Sequence, residues 1–518
     1  MPISRQIRYL RGSRDNWKQN SAKKQQKIRQ DEQTIRSLKI SRDNWKTKAK
    51  EAEIRVKQLE KKLKKQEEKN LKISDSSPSE IIIESLAQVQ GHHYKVQTIQ
   101  VCIQQVLEAG NSYRGVAKTM KIFSQNFKIE SPHYSTIRQW LGRIGLYELN
   151  REKEQLQDWI CVVDLTLELG QEKALVIYGI SEEIWQSQVL KEGRALKHTD
   201  GEILGIEVTK SATGEWIQEI LSELTTKIGI PRQIVADNGS NLKKGIKLYQ
   251  ENHQQVIYTY DVTHAMANLL KKELVPSQDF QDFLTDCSRC KQQLQQTELA
   301  FLAPTSQRAQ CRYFNAERLV NWAINLLNSP LNICAQLLPS IEINKLEQRL
   351  KEKLSWLHNY QGQIPLWAQM CQITRTLEKQ LKIFGLNQES QAQFSKTLSS
   401  MVIPPSLESF KQKIFDYLQA EMALIGDDRT VLATSDVIES IFGKYKSFSQ
   451  RCPLKDLRSM LLTIPLSTMN LTQDMIKKAL ETVRGIDLSQ WISDVFGQSM
   501  FSKRKTLLAA ANSDMKTV

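Results

Sequence analysis

Between residues 158 and 261 the apolar residues fall in short β-branched runs bounded by turn-formers: Trp159–Leu167, Lys173–Gly179, Ile203–Thr209, Gln233–Asp237 and Gln255–Asp261. Runs of this length and composition read as strands. Gly170 marks a turn between the first two, and Asn238-Gly239 a turn after the fourth. From Gly214 to Ile228 the period changes: Trp216, Ile217, Ile220, Leu221 and Leu224 share one helix face. Segments from about Ser240 to Tyr249 and from His264 to Leu274 read as two more helices. The predicted order is β-β-β-α-β-α-β-α.

The flanking regions are helical in pattern. Val96, Ile99, Val101, Ile103 and Val106 form an apolar set that ends at Gly110. Ser112–Met120 is a short helix with a cap-like serine, and Ser135–Arg143 a second, capped by Ser135 or Ser131. A short helix followed by one that opens with Ser/Thr and carries Arg and Gln resembles a helix-turn-helix, whose second helix enters the major groove. Arg138, Gln139 and Arg143 would then reach bases or phosphates; the alternative is an ordinary helical hairpin with surface arginines. Residues 276–425 carry Trp322, Trp356 and Trp367 in helical sequence without a motif, helical sequence resumes after Arg429, and Ser502–Lys505 adds a small basic tail.

Residues 1–72 are nearly free of Pro and Gly after Gly12. Ser13-Arg14-Asp15-Asn16-Trp17 recurs as Ser41-Arg42-Asp43-Asn44-Trp45, an offset of 28 residues or four heptads. Ile28, Ile35, Leu38, Ile54, Val56, Leu59 and Leu63 supply a sparse apolar seam, so a long helix in a coiled coil is expected. Ser74–Ser79 breaks it as a linker.

Charge sharpens this division. Residues 1–72 hold 23 Lys/Arg against 9 Asp/Glu, and the rest of the chain holds 49 against 48. A cationic surplus confined to one segment points to a polyanion, most commonly nucleic acid, with a solubilising basic helix as the alternative. Arg14 and Arg42 are the repeat's candidate DNA contacts. The 518 residues, 40% apolar, suffice for a buried core and for three or four domains at about 100–200 residues each. No stretch approaches the ~20 apolar residues that cross a bilayer, and no apolar segment follows the Arg-rich N-terminus, so no membrane span and no secretory signal are expected. Of eight Cys, several are isolated in apolar contexts, as reduced core thiols would be. Cys287 and Cys290 have CxxC spacing; a structural zinc needs a second such pair, and Cys311 alone is nearby, so they read as helix-face thiols.

Two carboxylates stand where a carboxylate is costly. Asp164 follows Cys161-Val162-Val163 inside the first strand, and Asp237 closes the fourth. Burying such a group is unfavourable without a compensating cation or hydrogen bonds. Magnesium takes hard oxygen ligands, often from one or two carboxylates. For a strand-end Asp, and for Asp237 before Asn-Gly above all, capping of the next turn is the alternative.

Asp164 in the first strand, Val235-Ala236-Asp237-Asn238-Gly239-Ser240-Asn241 at the end of the fourth, and the strand order together resemble the ribonuclease-H-like DDE transposases of the bacterial insertion-sequence type. The resemblance implies a mixed five-stranded sheet with strands one and four side by side. It implies a third acid, a Glu on a helix that usually follows a variable insertion. Thr434-Ser435-Asp436-Val437-Ile438-Glu439-Ser440-Ile441-Phe442-Gly443-Lys444-Tyr445-Lys446 matches that helix best, which makes Glu439 the third acid, with Glu408 and Glu421 as rivals. Asp164 and Asp237 are 73 residues apart and Asp237 and Glu439 are 202 apart, a separation like that of members with an α-helical insertion. Asp261-Val262-Thr263-His264 resembles the Asp/Cys-x-x-His motif of several such superfamilies, which places His264 near the scissile phosphate or on the catalytic carboxylates; a helix-start histidine is the alternative.

The resulting organisation is a basic coiled coil at 1–73, a linker at 74–91, a helix-turn-helix-like domain at 92–150, a ribonuclease-H-like core at 151–275, a helical insertion at 276–428, the third-acid helix at 429–450 and a helical region at 451–518. By resemblance, Asp164 bridges two Mg²⁺ ions, with Mn²⁺ as substitute, while Asp237 and Glu439 each complete one. Such ions lie about 3.5–4 Å apart. The implied activity is cleavage at transposon ends followed by attack of the 3′-hydroxyl on target DNA. The implied partners are double-stranded DNA and a second copy paired through the coiled coil, and the expected location is the cytoplasm, at the nucleoid. The alternatives are a nuclease or resolvase of the same fold without strand transfer, a domesticated DNA-binding protein without catalysis, and a coiled-coil scaffold.

Overall fold

The computed structural model describes residues 89–126, 129–167, 172–305, 316–328, 336–339, 341–426, 429–449 and 458–514, together with residues 21, 24 and 25. The chain divides into two units, residues 1–85 and 86–518. In the first, Ser21, Lys24 and Gln25 are helical. The expected coiled coil, with Arg14 and Arg42, and nearly all of the linker lie outside the described residues. Among the described residues no helix is long and apolar enough to cross a membrane.

The second unit opens with helices α1 (Val96–Leu107), α2 (Tyr113–Asn126) and α3 (Tyr134–Asn150). Strands β1 (Trp159–Leu167), β2 (Lys173–Ser181) and β3 (Glu202–Thr209) follow. Then come α4 (Gly214–Ile228), β4 (Gln233–Ala236), α5 (Ser240–Asn252), β5 (Ile257–Tyr260) and α6 (Val262–Leu274). A helical region holds α7 (Gln278–Leu294), α8 (Ala316–Leu327), α9 (Ile343–Leu354), α10 (Gln363–Phe384), α11 (Ser390–Leu398) and α12 (Glu408–Met422). The chain ends in α13 (Asp436–Ser449), α14 (Gln473–Thr482), α15 (Gly485–Phe496) and α16 (Met500–Asp514).

The five strands form one mixed sheet in the order β3-β2-β1-β4-β5. β1 pairs antiparallel with β2 and parallel with β4, and β4 pairs parallel with β5. Both faces of the sheet are buried, which is why β1 and β2 read as nearly unbroken apolar runs. Trp159, Cys161 and Val163 face α4 and α5 through Ile217, Leu221, Leu242 and Ile246. Ile160 and Val162 face α13 through Val437, Ile438, Ile441 and Phe442.

Sequence periodicity placed Val101 in the core of α1, but it is 43% exposed. Val96, Ile99, Ile103 and Val106 form the buried stripe, and Val101 falls outside a 3.6-residue repeat built on them. The N-terminal helices share their core with the end of the chain: Ile99, Ile103, Ile137, Trp140 and Ile144 pack with Leu462, Leu466, Ile476, Leu480 and Leu488. Nine of the 17 residues of α3 are buried, so it is the central helix of this bundle. A recognition helix needs an open face. The Arg143 guanidinium donates from Nε to the Val483 carbonyl at 2.6 Å and also to the Leu480 carbonyl, closing the C-terminal end of α14. Gln139 is half-buried with its Oε1 near Gly485 at the start of α15. Of the three residues expected to reach DNA, Gln139 and Arg143 are turned toward the bundle and Arg138 alone is exposed.

At Gly145 a Cβ would lie 2.3 Å from the Leu462 carbonyl oxygen. Gly145→Ala is therefore expected to cost about 1–3 kcal/mol by overpacking, read as a lower urea midpoint. An unchanged midpoint would mean that the C-terminal segment does not seat against α3.

Candidate active site

The parallel registers decide which side chains meet. Val163 of β1 pairs with Ala236 of β4, and Ala236 pairs with Tyr260 of β5. The next residue on each strand is an aspartate: Asp164, Asp237 and Asp261. Side chains alternate along a strand, so Asp164 and Asp237 share the face of Val162 and Val235, which is the α13 face. The strand order thus brings together the two carboxylates singled out in the sequence.

Each is held by local backbone. Asp164 Oδ1 accepts the Leu165 N–H at 2.7 Å. Asp237 Oδ1 accepts the Gly239 N–H at 2.9 Å, the aspartate turn that ends β4 and starts the chain toward α5. The Tyr258 hydroxyl braces that turn, donating to the Asp237 carbonyl at 2.9 Å. Burial pushes the Asp164 carboxyl up to about 7, and the charge of Asp237 pushes the same way; the Leu165 N–H and His264 oppose them in part.

Asp261 is fully buried and fully engaged. Its Oδ1 accepts the His264 backbone N–H at 2.7 Å and faces His264 Nδ1 at 2.9 Å, while its Oδ2 accepts the Ser435 N–H at 2.6 Å. As N-cap of α6 it starts that helix at Val262, two residues earlier than the sequence pattern suggests. Burial alone would raise Asp261 and lower His264. The hydrogen bond and opposite charges between them reverse both, holding Asp261 below its ordinary value and His264 at about 9, with Glu439 and Asp237 adding to the second. His264 is therefore an imidazolium at neutral pH.

The helix carrying Glu439 is delivered by a buried strap, Val431–Ser435. Val431 pairs with Leu386 through two backbone bonds of 2.9 Å. Leu432 is clamped by the buried Gln233, whose Nε2 donates to its carbonyl at 2.6 Å and whose Oε1 accepts its N–H at 3.1 Å. The Ala433 carbonyl accepts the Val262 N–H at 2.9 Å. From there α13 lies over β1, and Glu439 Oε1 stands 3.6 Å from His264 Nδ1. Burial raises the Glu439 carboxyl and His264 counters it. Of the rival acids, Glu408 pairs with Lys411 on the surface at 2.8 Å, and Glu421 accepts the Tyr260 N–H at 3.1 Å along the edge of β5. Asp164, Asp237, His264 and Glu439 are thus neighbours, Glu408 stands on the surface, and Glu421, pushed up to about 7 by burial, keeps one oxygen on the β5 edge.

Sequence reasoning missed Gln233, Glu378, Lys382 and Asp436. A glutamine inside an apolar strand was a usable signal for the first; the other three look like ordinary helix-surface charges. Cys287 and Cys290 lie buried one turn apart on α7.

Among the described residues no three His, Cys, Asp or Glu groups converge closely enough to enclose an ion. Asp164 and Asp237 nevertheless suit a hydrated divalent cation, which magnesium's preference for few carboxylates and several waters requires. Each has one oxygen on a backbone N–H, and no further hydrogen bond from the described residues reaches either side chain. Their mutual repulsion is the kind a cation relieves.

No family model matches the chain, and no curated protein matches it. Among solved structures it is similar to a Drosophila P element transposase strand transfer complex, at 13% identity and a TM-score of 0.37, over 81% of this chain and 100% of that one.

Proposed function

We propose that the chain is a DNA transposase of the ribonuclease-H-like DDE class, cleaving phosphodiester bonds and joining the 3′ ends to target DNA. The observation that carries this is the in-register pairing of β1 with β4, which sets Asp164 beside Asp237 on the face covered by the Glu439 helix. The sheet order β3-β2-β1-β4-β5 agrees with that reading.

Asp164 and Asp237 would hold the metal, and Glu439 would complete the ligand set from α13. Divalent ions bound there supply a nucleophile at neutral pH and stabilise the leaving oxygen of an in-line displacement. His264 keeps a positive N–H beside Glu439, with Asp261 fixing the ring, so it steers that carboxylate toward the aspartates and offsets their charge. The scissile phosphate is drawn toward the same imidazolium. Residues 1–72 carry the cationic surplus that DNA binding would draw on.

The test uses the full chain with supercoiled plasmid and with DNA fragments from either side of its own coding region. With Mg²⁺ or Mn²⁺, strand breaks and joined products are expected. Breaks without joined products identify a nuclease, and an intact plasmid in both metals overturns the reading. Independently of activity, Mn²⁺ is expected to raise the melting temperature by a few degrees, and that gain is expected to vanish in Asp237→Asn. An equal gain in the variant would place the ion elsewhere.

A further inference from the structure

The long helix α10 belongs to the region between the strands and α13, yet it reaches into the site. Lys382 near its C-terminal end contacts Asp436 Oδ2 at 2.6 Å and Glu378 Oε1 at 2.6 Å. Asp436 is the first residue of α13, one turn before Glu439. Glu378 is 5% exposed and also binds Arg375 at 2.5 Å, which in turn reaches Glu317 of α8 at 3.0 Å. The Thr263 hydroxyl donates to Asp436 Oδ1 at 3.2 Å and approaches Glu378 Oε1 at 3.4 Å. Thr263 directly precedes His264 on α6. One network therefore touches α6, α10 and α13 at the residues next to His264 and one turn from Glu439.

We propose that Lys382 is a positioning residue for Glu439: the Glu378–Lys382–Asp436 chain fixes the first turn of α13 against α6, so the helical insertion completes the active site. The inference rests on the function proposed above. Its physical ground is the arrangement of charges. Asp436 and Glu439 are like charges one turn apart on α13. Lys382 neutralises Asp436 through the direct ion pair at 2.6 Å. It is itself held by Glu378, whose other oxygen is already taken by Arg375, so swinging out would give up one of the two cations on a buried carboxylate, a costly change. Lys413 of α12, which pairs with Glu273 near the far end of α6, supplies a control charge.

The experiment compares Lys382→Met, Lys382→Arg and Lys413→Met in the full chain. Nicking of supercoiled plasmid in Mn²⁺ is measured as a function of plasmid concentration, and hydrogen exchange is followed over residues 436–442. Lys382→Met is expected to lower the saturating rate by roughly ten- to a hundredfold, the range typical of residues that orient a metal ligand. Half-saturation should change by less than about twofold, because DNA contacts are untouched. Lys382→Arg should restore most of the rate, and exchange in the first turn of α13 should quicken in Met but not in Arg. Lys413→Met should resemble the wild type in both. Wild-type nicking and exchange in Lys382→Met would overturn the proposal, as would equal losses in Met and Arg that track a loss of melting temperature. If the wild type leaves plasmid intact, the transposase reading falls, and the exchange comparison alone decides whether Lys382 holds α13.

Discussion

Asp164→Asn is expected to abolish metal-dependent cleavage while making the protein more stable above neutral pH. The activity loss should reach about a thousandfold or more, the several kcal/mol that a two-metal centre contributes. An amide keeps the shape and the Leu165 bond but supplies a far weaker ligand than a carboxylate. The stability gain follows from the raised carboxyl, at about 7 in the fold against 3.8 otherwise. A raised acid means that the folded state binds its proton more tightly, so ionised Asp164 begins to destabilise the fold above about pH 4 and reaches its full effect above about pH 7. Asparagine removes that effect. Urea unfolding without divalent metal should show the variant stabilised on the order of 1–3 kcal/mol at pH 8 and level with wild type at pH 3.5. Residual cleavage within tenfold of wild type, or a variant less stable at pH 8, would contradict the assignment of Asp164.

The largest stability loss is expected for Asp261→Ala. The substitution removes the acceptor of the His264 N–H, the partner of the His264 ring and the acceptor of the Ser435 N–H in one step. Breaking a buried charge pair typically costs about 3–5 kcal/mol. The pair also gives the wild type a pH window. Asp261 lies below its ordinary 3.8, so its contribution is present above that value and is lost as acid protonates the folded carboxyl. His264, raised from 6.5 to about 9, contributes fully below 6.5 and loses its share as pH rises through 9. The difference between wild type and Asp261→Ala should therefore be largest between about pH 4 and 6.5 and should shrink toward pH 9 and in strong acid. A difference that stays flat across this range would mean that the ring is neutral in the fold.

Much of the sheet was legible because its residues carry local signals. Strands buried on both faces appear as apolar runs, and Asn238-Gly239 marks the turn that aims Asp237. Adjacency of Asp164 and Asp237 was not written in either segment, since it depends on parallel pairing across 73 residues. Glu439 could be ranked above Glu408 and Glu421 from its flanking sequence, but the reason it faces His264 lies in Gln233 and the strap, which act across 199 residues from Gln233 to Leu432. The placement of Gln139 and Arg143 was illegible for the same reason. An arginine that caps a distant helix and one that reads a base look alike until the helix it caps, α14, is in view.

The shared core of α1–α3 with Leu462, Ile476 and Leu488 has a kinetic side. The chain leaves the ribosome with Ile99, Ile137 and Trp140 already made and their partners still more than 300 residues away. Until those partners arrive, the first helices expose an apolar face, so assembly of this layer waits on synthesis of the final segment and contends with self-association in the meantime. Of the described layers, the one built from the earliest residues is therefore among the last to close.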